Sequence, residues 1–117
     1  MVKINYFKDK PFVFMLDFKL RDYIPAKYFK SEVDFFAEIC FFIDLLRDNE
    51  ILKSTGTPRV WNIEFDCVYD ETPFKMVFDD DYGFVHFAVE CVEAKVKIAE
   101  ALKHLMENRS VIGDGEV

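Results

Sequence analysis

The chain has little of what most catalytic and metal-binding motifs require. Its 117 residues include four glycines, at 56, 83, 113 and 115, and their spacing matches neither GxGxxG nor GxxxxGK[ST]. No HExxH, CxxC or GxSxG occurs. Cys40, Cys67 and Cys91 are an odd count with no two close in sequence, which argues against a disulfide framework or a zinc site. Each lies among apolar neighbours, so three reduced core thiols are expected. Four prolines and four glycines are too few for a disordered or linker-rich chain. No apolar run reaches the roughly 20 residues that span a bilayer. The opening MVKINYFKDK lacks the apolar core and small-residue cleavage site of a signal peptide. The expectation is a cytoplasmic protein.

Cations are also scarce. Fifteen Lys and Arg face 22 Asp and Glu, for a net charge of −7. That sign argues against nucleic acid or an anionic membrane as a partner, because both require clustered cations. The imbalance is uneven. Residues 1–30 hold seven cations and three acids, so the remaining chain carries −11. Such a field steers a basic partner and repels nucleic acid.

What is abundant is apolar and aromatic surface. The apolar fraction is 51%, with 14 Phe, and the length suits one domain with its own core. The expected domain is 1–109, followed by a frayed tail at 110–117. Val2 to Phe7 and Phe12 to Leu20 read as two strands, the second with Phe12, Phe14, Leu16, Phe18 and Leu20 on one face and Val13 and Met15 partly covered on the other. Residues 21–30 connect them to a helix beginning at Ser31, which sits three residues before Asp34 in a shortened capping box. Val33, Phe35, Phe36, Ile39, Cys40, Phe42, Ile43 and Leu46 form its broad apolar side, and it ends between Asp48 and Lys53. Ser54 to Pro58 is a loop.

A three-strand meander follows: Val60 to Tyr69, Phe74 to Phe78 and Phe84 to Val89, with turns at 70–73 and 79–83. A final helix runs from about Glu90 to Asn108. Its apolar stripe is Cys91, Ala94, Ile98, Ala101, Leu102 and Leu105, widened by Val92, Val96 and Ala99. Its wet stripe is Glu93, Lys97, Glu100, His104 and Glu107. The fold class expected is α+β, an antiparallel sheet of about five strands in the order β-β-α-β-β-β-α, with two helices on one face.

The candidate site lies on the meander. Trp61, Ile63, Phe65, Cys67 and Tyr69 alternate with Asn62, Glu64, Asp66 and Asp70, so one face is apolar and the other acidic. Glu71, Asp79, Asp80 and Asp81 add carboxylates at the turns, against the single cation Lys75 between residues 60 and 90. His86 joins this face if Val85 and Phe87 point inward. The bland alternative is a solvated face. Phe41 and Leu45 fall among Asp34, Glu38, Asp44 and Asp48 on the polar side of the first helix. They read either as exposed interface anchors or as residues covered by the final helix or by residues 21–30. The acids of Asp79–Asp81 are consecutive and the glycine comes too early for a calcium loop, so no metal or cofactor is expected.

These features point to a protein-binding module and not to an enzyme. In general character, though through no diagnostic motif, the chain resembles the immunity proteins of bacterial toxin systems. The resemblance implies an antitoxin-type inhibitor that masks the cationic site of a basic toxin domain, most concretely a nuclease. It also implies a monomer or weak homodimer. In small size, acidity and α+β content the chain is also similar to dimeric secretion chaperones, although those open with a helix and this chain opens with strands. An enzyme using scattered carboxylates ranks third.

Overall fold

The computed structural model describes residues 2–24, 26–28, 37–79 and 84–108. The Ser31 cap with Asp34, the apolar positions Val33, Phe35 and Phe36, the acids Asp80 and Asp81, Gly83 and the 110–117 tail lie outside the described residues. The fold is α+β. Strands β1 (Lys3–Phe7), β2 (Lys10–Asp17), β3 (Thr57–Pro58), β4 (Asn62–Tyr69), β5 (Thr72–Asp79) and β6 (Phe84–Val89) form one antiparallel sheet in the order β1-β2-β6-β5-β4-β3. Two long helices, α2 (Ala37–Asp48) and α3 (Val92–Asn108), pack on it. A helical turn α1 (Leu20–Tyr23) and a 3-10 turn (Ala26–Tyr28) precede α2. The sixth strand is the two-residue β3, which forms within the expected Ser54–Pro58 loop. It pairs Thr57 with Glu64 and Pro58 with Ile63. Gly56 makes this possible: its φ is +100°, and a Cβ there would lie 2.8 Å from the Phe65 ring.

Register sets which side chains face the helices. Val13 pairs with Ala88, Ala88 with Lys75 and Lys75 with Asp66. Phe14 pairs with Phe87, Phe87 with Met76 and Met76 with Phe65. The second row is buried and meets the helices, and the first lies on the other, uncovered face. Phe87 stands at the centre. Its ring lies 5.1 Å from Phe14, 5.6 Å from Phe42 of α2 and 6.3 Å from Phe74. Burying one such side chain contributes about 1.5–3 kcal/mol.

Several expectations need correction at strand ends and on the helices. β2 stops at Asp17, because Leu20 already begins α1. Phe12 is exposed, while Phe18, past the strand, packs edge-on to Tyr23 and Phe42. β4 begins at Asn62, so Trp61 leaves the apolar face for solvent. The buried side of α3 is Ala94, Ile98, Ala99, Leu102 and Met106, rotated away from Cys91, Val92 and Val96, which are exposed. Only Cys67 is a core thiol, and burial pushes it up to about 12; Cys40 and Cys91 are exposed.

Helix α2 ends as its sequence boundary suggested, through a paired cap. Ile51 N–H donates to Leu46 O at 2.8 Å and Glu50 N–H to Arg47 O at 3.0 Å. Buried Ile51 and Leu46 close the motif with an apolar contact. The residue between them, Glu50, has φ 59°, a left-handed conformation that favours glycine. Glu50→Gly is expected to raise stability by about 1 kcal/mol, seen as a higher urea midpoint at unchanged slope. A fall in stability would show that the Glu50 side chain contributes more than its backbone strain costs.

Candidate functional site

The candidate site is the face of the sheet that carries no helix. Period-two alternation along β4 and β5 places Glu64, Asp66, Lys75 and Val77 there, opposite Phe65, Cys67, Phe74, Met76 and Phe78. Val85 and Phe87 point into the core, so His86 lies on the uncovered face, paired with Val77, which pairs in turn with Glu64. Burial first, and the Lys10 charge second, lower the His86 pKa, with Asp79 opposing. The strand placement of Glu64, Asp66 and His86 on one side is therefore as read from the alternation.

The face is not a bare array of carboxylates. Lys75 Nζ donates to Asp66 Oδ1 at 2.8 Å and lies 3.6 Å from Glu64 Oε1. Arg59 Nε lies 3.6 Å from the same Glu64 oxygen. The Asp66 hydrogen bond is the main cause holding the Lys75 ammonium above its ordinary value. Exposed pairs of this kind contribute about 0–1 kcal/mol to stability. Their larger effect is to set two cations against the two strand carboxylates. Asp66 retains most of its side-chain exposure, and Glu64 little. Asp66 and Glu90 flank a shallow depression of about 370 Å³ floored by Val68, Pro73, Lys75 and Ala88.

The acids at the turns fall at opposite ends. Asp70 and Glu71 close the β4–β5 hairpin with φ 49° and 64°, positive at both central residues as in a type I′ turn. Asn and Gly normally fill these positions, so two acids here store backbone strain. Lys97 of α3 holds the turn. Its Nζ lies 3.1 Å from Asp70 Oδ2 and donates to Asp70 O at 3.2 Å and Thr72 Oγ1 at 2.9 Å. This cation of the wet helical stripe thus reaches across to the sheet. Asp79 pairs with Asn62 at the other end, about 26 Å away along eight-residue strands.

Phe41 and Leu45 are corrected as interface anchors: both are 1% exposed. Tyr28, from the 21–30 connection, lies edge-on to Phe41 at 5.9 Å and donates its hydroxyl to Asp44 Oδ2 at 2.6 Å. The side of α2 that looked polar is covered because this connection folds over it. Glu38, one turn before Phe41, is desolvated as well.

The most exposed aromatic among the described residues, and one that the sequence did not announce, is Trp61. With Val60 it forms the tip of the β3–β4 hairpin, closed by Arg59 N–H donating to Asn62 O at 2.7 Å. Val60 is 82% and Trp61 68% exposed. The available signal was Arg59-Val60-Trp61-Asn62 next to a loop, but the alternation through Ile63 and Phe65 extended by one step into Trp61.

Among the described residues, no group of three or more His, Cys, Asp and Glu could hold a metal ion, and no helix is long and apolar enough to cross a membrane. A cavity of about 620 Å³ lies between α2 and residues 52–55; its charged groups are Arg47 and Lys53, and it does not include His86. No protein-family model, curated protein or solved structure matches the chain.

Burial pushes the Glu38 carboxyl up from 4.5 to about 7. The folded state thus holds that proton more tightly than the unfolded state. Its contribution to stability is complete below the unfolded value and is lost as pH rises through about 7. Glu38→Gln is expected to stabilise the protein by about 1–3 kcal/mol at pH 8 and not at pH 4. Urea unfolding at the two pH values measures this. A gain that is equal at both would refute burial of the charge as its cause.

Proposed function

We propose that this chain is a protein-binding module whose partner is a cationic protein domain, in its most concrete form an inhibitor that covers the basic site of a toxin such as a nuclease. The observation that carries this reading is the helix-free sheet face, where Asp66 stands exposed on a strand beside Glu90, with Asp70 and Glu71 fixed at the adjoining turn. Carboxylates held on strands lose little side-chain freedom on pairing. They sit where a flat or convex cationic surface can reach them together. A nuclease must concentrate positive charge to hold phosphates, and an inhibitor that presents carboxylates in their place gains association rate from the same field.

The internal pairs with Lys75 and Arg59 refine the reading. Glu64 is far less exposed than Asp66 and Asp70, so Asp66, Asp70, Glu71 and Glu90 are the acids that meet the partner, with Asp79 and His86 toward the other end. Charge alone gives speed and orientation. Affinity requires a few apolar anchors. With Phe41 and Leu45 in the core, Trp61 and Val60 at the β3–β4 tip take that role.

The test uses the tagged, immobilised chain and elution of bound material in steps of rising salt. The screening length falls from about 30 Å at 0.01 M to about 3 Å at 1 M. The bound species is expected to be a basic protein that elutes as salt rises. It is expected to be lost on Asp66→Lys with Glu64→Lys, and weakened at least about tenfold by Trp61→Ala. Nucleic acid as the bound species, or retention indifferent to the charge reversals, would refute the proposal.

A further inference from the structure

Two helices do not fill the layer above six strands. Residues 52–55 cap the β4 edge: Leu52 bridges Cys67, Lys53 N–H donates to Asp66 O at 2.8 Å, and Asp66 N–H donates to Ser54 Oγ at 2.9 Å. The β1 edge carries no such cap among the described residues. Between the capping segment and α2 the core layer opens into the cavity of about 620 Å³, a volume within the usual range for a small-molecule site. Its apolar wall is Ile43, Leu52 and Phe65, the first two only partly buried. Its charged groups are Arg47, one turn after Ile43 on α2, and Lys53, both exposed. No acid among the described residues lines it, on a chain whose net charge is −7.

The polar groups of this cavity have donors to spare. Arg47 donates from Nη1 to Asp44 Oδ1 at 3.2 Å, and its other edge meets no partner among the described residues. Tyr28 donates its hydroxyl to Asp44 Oδ2 at 2.6 Å, which holds the carboxylate and, through it, the guanidinium. Lys53 Nζ uses one of its three donors on Glu50 O at 2.9 Å. Ser54 Oγ accepts from Asp66 N–H, so its own hydrogen remains to be donated. We propose that the cavity binds a small amphipathic monoanion, a carboxylate carried on an apolar body. The carboxylate takes the open edge of Arg47, a planar fork that suits two oxygens, together with Lys53 and Ser54. The body covers Ile43, Leu52 and Phe65.

Two features set the ligand class. Arg47 and Lys53 against Asp44 leave a single positive charge at the cavity. Under the negative field of the whole chain, that suits one negative charge better than the nearly double charge of a phosphate. Ile43 and Leu52 keep part of their apolar surface in water, and only an apolar body removes it. The proposal is independent of the partner reading above. The cavity lies on the helix side of the sheet, with Phe65, whereas Glu64, Asp66 and His86 lie on the other side.

The test is calorimetric titration of the full chain with dodecanoate, kept below its micelle-forming concentration, together with amide NMR shifts. Dodecanoate is expected to bind one to one with a Kd below about 1 mM, and to move the resonances of residues 43–47 and 52–55. Dodecyltrimethylammonium, with the same tail and the opposite charge, is expected not to bind there. Acetate and inorganic phosphate are expected to bind at least about tenfold more weakly than dodecanoate. Arg47→Gln combined with Lys53→Gln is expected to weaken dodecanoate binding at least about tenfold. Both side chains are exposed, so the urea midpoint is expected to stay unchanged. Dodecanoate binding that does not saturate by about 5 mM overturns the proposal. So does a cationic probe bound equally well, phosphate bound more tightly, shifts confined to other residues, or a folded double variant that binds as before. If the double variant fails to fold, the three comparison probes on the unmodified chain still decide.

Discussion

The structure depends on the enclosure of the Phe87 ring. That side chain, on the sixth strand in chain order but near the middle of the sheet in space, touches rings from β2, β5 and α2 at once. Contacts at this separation fix the angle as well as the distance of neighbouring rings. They lock α2 over β6 and leave α3 to cover β1, β2 and β6. Once both helices are drawn to this side, the opposite side has nothing to cover it among the described residues. The polar face is thus a consequence of where the aromatic residues are spent.

That consequence explains why the strand positions were legible and the helix positions less so. Alternation along β4, β5 and β6 is a property of each strand alone, so the placement of Glu64, Asp66 and His86 could be read directly from spacing. The burial of Phe41 and Leu45 depends on Tyr28, thirteen residues before Phe41, folding across the helix. A helical wheel contains no information about such a distant segment. The same limit applies to Glu38, whose desolvation the helical wheel does not contain. Trp61 failed for a different reason. Periodicity has no intrinsic end, and only the backbone pairing of Arg59 with Asn62 decides that the chain turns before Trp61 can enter the sheet.

Cation placement shows a further level that composition hides. Lys75 is the one positive residue between positions 60 and 90, and it sits on the strand position where it meets both Glu64 and Asp66. Lys97, from a remote helix, fastens the only two-acid turn described. Electroneutrality is therefore managed locally on a protein that is strongly anionic as a whole. The carboxylates left exposed are those at the rim of the paired cluster, and a count of charges does not identify them.

The capped and uncapped edges also carry opposite electrical character. Lys3, Lys8 and Lys10 lie on the β1–β2 side, and Glu64, Asp66, Asp70 and Glu71 on the β4–β5 side. A single chain is therefore an electric needle lying across its strands. In the field of a charged object it experiences a torque once it comes within about a screening length of contact. Rotational search is shortened before a single atom touches, and the chain arrives with its anionic rim leading whenever the object is positive.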